Sequence, residues 1–227
     1  RSVGTDSQMW TVSLSREQFP VRSVQDELTP DGVGWLHVSQ FHAGTEAELR
    51  EAIGRLRMLS ADRLVLDLRH SQGGDLRAAA GVAGLFLPKS AVVVRVVEPG
   101  VGEEDLVAAF PQEVHEPTVV LVDRWTHGAA EAVANALQEH ARAYVIGERT
   151  MGSGRLETLI PLRPGLTLRL DSVRLESPTG RSWHGVGVEP DQSVLVEGGV
   201  PLDAPSGAAG PDDQQLRIAV QYLQTEE

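Results

Sequence analysis

Apolar residues fall into short bunched runs separated by stripes at helical spacing, and the order of the two kinds predicts the elements. Leu49, Ala52, Ile53, Leu56 and Leu59 recur along one helix face, opened by Thr45 with Glu48 three residues on, the signature of a capping box. Arg63–Arg69, RLVLDLR, follows at once and is short, branched-rich and bounded by polar residues, which predicts a buried strand. A second helix is predicted over Leu76–Leu87, closed by Pro88, and then a strand over Ala91–Val97. Thr118–Val122 reads as a further buried strand, Ala129–Ala141 as a helix and Tyr144–Ile146 as a strand. Helix and strand in alternation build βαβ-like units, so the fold class is α/β.

The flanks add to this frame. Trp10, Val12 and Leu14 alternate with Thr11, Ser13 and Ser15, the period of a half-buried strand. After a Thr29–Gly32 turn, Val33, Trp35 (or its neighbour Leu36) and Val38 supply one apolar face of a strand. Residues 98–116 are polar and acidic, with Gly100 and Gly102, and read as a loop or short helical excursion. Leu156–Leu162 and Leu166–Leu175 bracket an Arg163-Pro164-Gly165 turn as a hairpin. Beyond a linker over Gly198–Pro211, Leu216, Ala219, Val220 and Leu223 form one helical stripe. Three parts are expected: a linker and strand over 1–29, a core domain over 30–197, and a linker with a C-terminal helix packed on the core over 198–227.

Composition narrows the function. With 227 residues, 41% of them hydrophobic, the chain has length for one substantial core. A formal charge of −12 argues against nucleic acid or an anionic membrane surface as partner, since both select basic patches. Absence of cysteine excludes disulfides and thiolate metal sites. No apolar run reaches the roughly 18 residues of a membrane span, and no signal-peptide pattern stands at Arg1, so a signal for export would lie upstream of this chain. His127 and Glu131 are four apart, but His37, His42, His70, His115, His140 and His184 show no metal-binding spacing, so neither metal nor cofactor is expected. Trp35, Trp125 and Trp183 are expected at core edges or loop bases.

Two turns carry candidate chemistry. Asp123–Gly128 joins a strand to a helix, a corner where unpaired N–H groups and a partial positive charge face whatever sits at the turn. In many α/β enzymes such a corner carries a nucleophile, and here it offers Thr126, His127 and Gly128, with no serine or cysteine. Gly73-Gly74 sits between a strand and a helix, where backbone N–H groups can approach a ligand closely.

Val120–Gly154, VLVDRWTHGAAEAVANALQEHARAYVIGERTMGSG, resembles the core of the C-terminal-processing (tail-specific) serine peptidases, whose pattern runs VLV-x-x-x-S-A-S-A-S-E, a helix, then VGE-x-T-x-GKG-x-x-Q. LDLRHSQGG at Leu66–Gly74 is similar to the family's LDLRxNxGG, and the stretch from Ser177 to Asp191 to its PSGRSIQGxGIxPD, with His184 where a glutamine is usual. The resemblance runs over roughly residues 10–224. It implies a crotonase-like layered core and an oxyanion hole from the N–H groups of Gly73, Gly74 and Ala129. It also implies an upstream PDZ domain, of which the Trp10–Leu14 strand would be a remnant, an exported protein, and a peptide or protein C-terminus as partner. The family's nucleophilic serine falls on Gly128, its general-base lysine on Ser153 and its glutamine on Glu157, while its glutamate is kept as Glu131.

Both members of the dyad are therefore substituted. Gly128 has no side chain, and a serine hydroxyl at 153 has no protonation equilibrium near neutral pH. The expectation is an inactive homologue that binds extended peptide without cutting it. The alternatives are a peptidase with displaced residues, Ser153 and His127 helped by Glu131 or Glu157 with Thr126 and Ser71 nearby, and a hydrophobic-ligand carrier like the family's non-proteolytic relatives.

Overall fold

The computed structural model describes residues 22–195 and 213–225, with the backbone alone at 158 and 159. The strand expected at Trp10–Leu14 and the linker at 198–211 lie outside the described residues. The larger sheet runs in the order β1 (Val24–Leu28), β2 (Gly34–Val38), β3 (Leu64–Asp67), β6 (Thr118–Val122), β7 (Tyr144–Gly147) and β10 (Gln192–Ser193). All its pairings are parallel except β1 with β2. A parallel sheet needs crossovers, which α1 (Thr45–Met58), α2 (Leu76–Gly84) and α3 (Ala129–Glu139) supply.

Period two along the central strands divides the interior. Leu36, Val38, Leu64, Leu66, Val120, Val122 and Val145 pack with α1, α2 and α3, while Val33, Trp35, Val65, Val119, Leu121 and Ile146 pack with α4 (Gln214–Thr225). The single apolar face expected for Val33–Val38 is thus corrected to two, because β2 is covered on both sides. Each large aliphatic so buried contributes about 1.5–3 kcal/mol.

Local chemistry departs from expectation at two further places. Thr45 is the first residue inside α1, not its cap; its hydroxyl accepts the His42 N–H at 2.9 Å and bonds the Ser23 hydroxyl at 2.8 Å. Glu48 turns to the start of β1, accepting the Ser23 N–H at 2.7 Å and the Val24 N–H at 3.2 Å, which ties the helix to the sheet edge. Residues 98–116 contain a strand, β5 (Gly102–Val107), paired antiparallel with β4 (Val92–Glu98). Its sequence, GEEDLV, is mostly exposed and poor in strand-forming residues; the Pro99-Gly100 turn and the apolar partner strand impose the pairing. A second sheet follows in the order β5-β4-β9-β8, in which β8 (Arg155–Arg163) and β9 (Leu166–Glu176) form the expected hairpin.

α4 is held by charge as well as by its apolar stripe. Arg69 bonds Asp67 at 2.6 Å and Asp213, at the head of α4, at 2.7 Å, while Trp35 Nε1 donates to Asp67 Oδ2 at 3.0 Å. Burial disfavours the Asp67 charge, but Arg69 outweighs it and the carboxyl lies below its usual range. His37 stacks on Trp35 at 5.8 Å, and neither ring nitrogen has a partner among the described residues.

Burial is the main cause that lowers the His37 pKa from 6.5; Asp67 works the other way, and Arg69 and His70 add to the lowering. Between 6.5 and that lower value the unfolded chain binds the proton more readily than the fold does, so stability falls as pH drops through this window. His37→Phe is expected to flatten the dependence, by at most about 1.4 kcal/mol per pH unit, in urea denaturation compared at neutral and mildly acidic pH.

Candidate active site

β6 ends at Val122, and the chain reverses through Asp123–Gly128 into α3. Asp123 holds the corner: its Oδ1 accepts the N–H groups of His70 (3.1 Å), Trp125 (3.0 Å) and Thr126 (2.8 Å). Its Oδ2 lies 3.2 Å from His70 Nε2, so one carboxylate joins the corner to the turn that leads to Gly73. The Thr126 hydroxyl accepts the Asp123 N–H at 3.0 Å and donates to Leu68 O at 2.8 Å, and it is fully buried.

Gly128 has φ 60° and ψ −117°. That is a conformation side chains rarely adopt, and a sharp strained turn of this kind lifts a nucleophile out of an α/β sheet. Space is not the obstacle, since a Cβ built there meets only Gly73 Cα, at 3.9 Å. Gly128→Ala is therefore expected to cost about 1–3 kcal/mol in chemical denaturation, from backbone strain alone.

Gly73 faces the corner, its own Cβ position lying 2.8 Å from His127 O and 3.3 Å from Ala129 N. At Gly74 a Cβ would fall 2.2 Å from Phe41 O, so neither position admits a side chain. The N–H groups of Gly73, Gly74 and Ala129 donate no hydrogen bond among the described residues. Three donors on facing turns, one of them at a helix N-terminus, can stabilise an oxyanion or hold a carbonyl oxygen.

Glu131 is 0% exposed and organises the opposite side. Its carboxylate accepts the N–H groups of Gly128 (3.0 Å), Gly152 (2.7 Å) and Ser153 (2.7 Å), and the Thr150 hydroxyl (2.5 Å). Gly128 and Ser153 bond the same oxygen, which brings the corner and the 150–154 loop together. Thr150 Oγ1 in turn accepts the Val188 N–H at 2.7 Å, extending the tie to the 181–191 turn.

His127 is half-buried with Nδ1 2.9 Å from Trp125 O, and no hydrogen bond joins it to Ser153 among the described residues. Ser71 is fully buried; its carbonyl accepts the His127 N–H at 3.4 Å, and its hydroxyl has no partner among the described residues. Glu157 lies exposed on β8 and pairs with Arg169 across the hairpin. Trp35 and Trp183 are buried, but Trp125 is 40% exposed beside the corner. Met151, 46% exposed, donates its N–H to Thr126 O at 3.1 Å on the same rim. Neither Asp123 nor His70 is among the residues expected to carry the chemistry; an aspartate three residues before a threonine at a strand end is a turn-forming pair that points to Asp123.

His127 and Glu131 do not converge on a metal, since the Glu131 oxygens are taken up by the donors named above. No group of three or more candidate ligands occurs among the described residues, and no helix there is long and apolar enough to cross a membrane.

A strained elbow at the head of a helix, facing a glycine turn with free N–H groups, defines an α/β core of the serine-peptidase type. Residues 32–194 match the model of peptidase family S41, and the chain belongs to that family. It is 34% identical over 213 residues to a carboxyl-terminal-processing protease of Synechocystis, covering 93% of this chain and 48% of that protein. It is 32% identical over 179 residues to a carboxy-terminal processing protease of Bacillus subtilis, covering 79% and 38%. A chloroplastic carboxyl-terminal-processing peptidase of Arabidopsis thaliana is 31% identical over 198 residues, 84% of this chain and 38% of that one. The chain thus spans about half the length, or less, of these relatives. Among solved structures, the photosystem II D1 C-terminal processing protease superposes with a TM-score of 0.67 at 26% identity, over 79% of this chain and 50% of that one. A lipoprotein from Streptococcus agalactiae shares the fold, with a TM-score of 0.65 at 13% identity, over 91% and 71%.

Proposed function

We propose that this chain is a catalytically inactive member of the C-terminal-processing peptidases that holds an extended peptide or a protein C-terminus without cleaving it. The observation that carries this reading is Gly128: at the position where the resemblance puts the nucleophile, the backbone takes φ 60° and ψ −117° with room for a side chain, and glycine brings none. Ser153, at the family's lysine position, supplies no base. Thr126 spends its hydroxyl on Leu68 O and the Asp123 N–H, and the Glu131 carboxylate is taken by backbone donors, so neither assists a substitute nucleophile.

What survives favours binding. The N–H groups of Gly73, Gly74 and Ala129 take a peptide carbonyl, and Trp125 and Met151 offer apolar contact on the same rim. Export from the cytoplasm and an upstream PDZ domain belong to the same reading; the absence of cysteine and the greater length of the relatives accord with them.

The test is equilibrium binding of a fluorescein-labelled, unstructured peptide with a free C-terminus, followed by anisotropy. Saturable binding that Trp125→Ala weakens by about tenfold supports the reading; a flat anisotropy up to millimolar protein sinks it.

A further inference from the structure

β9 pairs with β4 only at Arg174–Glu176, so from Leu166 to Val173 its one strand neighbour among the described residues is β8, and the hairpin there is a two-stranded ribbon. Cross-strand partners share a face: Ile160 stands opposite Leu168, with Leu166 and Leu170 two residues to either side, and Leu162 follows where the register shifts beside Arg163. These five side chains are 38–57% exposed. Together they leave on the order of 400 Å2 of aliphatic surface open on one side of the ribbon, the size at which an exposed patch marks an interaction site. The other face is polar, with Thr167, Asp171 and the Glu157–Arg169 ion pair. A ribbon of two strands is marginal in water unless its apolar face is covered.

Charge, edge and area select a second copy of this chain as the cover. Four arginines and three carboxylates fall between Arg155 and Glu176, so the hairpin is close to neutral on a chain of charge −12, and two acidic copies meet with least repulsion hairpin to hairpin. Pairing along the edge of β8 is blocked, since Pro161 has no N–H and the ladder shifts between Pro161 and Arg163; the contact is therefore made by the face. Two such faces bury about 800 Å2 of aliphatic surface, and the turn and the polar rim need add only about 400 Å2 to reach the roughly 1,200 Å2 at which specific interfaces begin. We propose that the chain forms a two-fold dimer in which the Ile160, Leu166, Leu168 and Leu170 faces of two hairpins pack against each other, with Leu168 near the axis. The dimer is independent of whether the corner at Gly128 cuts.

The experiment is sedimentation equilibrium of the purified chain between about 1 and 100 µM. A monomer–dimer equilibrium is expected within this range, weakened at least about tenfold by Leu168→Lys and, separately, by Leu170→Lys, and kept by Leu168→Met. Because residue 168 meets its own copy near the axis, an equimolar mixture of Leu168→Lys and Leu168→Glu chains is expected to regain a dimer that neither forms alone. Two lysine variants keep the test decisive if one of them disturbs the fold. A monomer at every concentration, whether its hairpin stays bare, is covered by another part of the chain or binds phosphatidylcholine vesicles instead, overturns the proposal. So does a dimer indifferent to both lysine variants, or a mixture that stays monomeric.

Discussion

The double substitution Gly128→Ser with Ser153→Lys is expected to cut an unstructured protein substrate at least about 1,000-fold faster than the unmodified chain. A serine at 128 inherits φ 60° and ψ −117° and finds its Cβ position open, so its hydroxyl is lifted at the corner opposite Gly73. A lysine at 153 stands on a loop whose N–H is anchored by the same Glu131 oxygen that accepts the Gly128 N–H. Nucleophile and base act as a unit, so either single substitution is expected to yield little of this gain. Strain at residue 128 lowers stability by about 1–3 kcal/mol, which denaturation of the same variant should show beside the gain in rate. The assay is the release of new N-termini from reduced, unfolded casein, compared across the unmodified chain, both single variants and the pair.

The second large effect is expected at Glu131. Glu131→Ala leaves the N–H groups of Gly128, Gly152 and Ser153 and the Thr150 hydroxyl without their acceptor in a buried place. A buried donor left unmade costs about 1–3 kcal/mol, so relief by water at part of the site still leaves a loss of about 3–5 kcal/mol in urea denaturation. Glu131→Gln keeps the shape but turns an amide NH2 toward N–H donors, and a loss between that of the alanine variant and zero is expected. Amide hydrogen exchange at Gly152 and Ser153 separates this account from a general loosening: protection there should fall first, ahead of residues in β3 and β6.

Much of this was legible in the sequence because short apolar runs and helical stripes report burial directly. Leu49, Ala52, Ile53 and Leu56 are buried along α1, whereas Leu59, at the end of the same stripe, caps the helix and is 58% exposed. Two-sided burial of β2 was not legible, since a strand covered on both faces has no alternation to read. Nor was β5, whose acidic residues face solvent and whose pairing comes from its neighbour. At the site, the corner, the glycine turn and Glu131 could be placed from residue order. The service of Glu131 to four donors and of Asp123 to the His70 turn is a matter of geometry, and spacing along the chain holds no trace of it.

On the proposed reading the chain holds peptide at the Gly128 corner and does not cut it. The most direct measurement is prolonged incubation of the purified, unmodified chain with unfolded casein, with products read by mass spectrometry. Under that reading the substrate stays intact, indistinguishable from a control without the chain. New peptides that appear with the unmodified chain and vanish with Ser153→Ala or His127→Ala would contradict it and assign the chemistry to displaced residues.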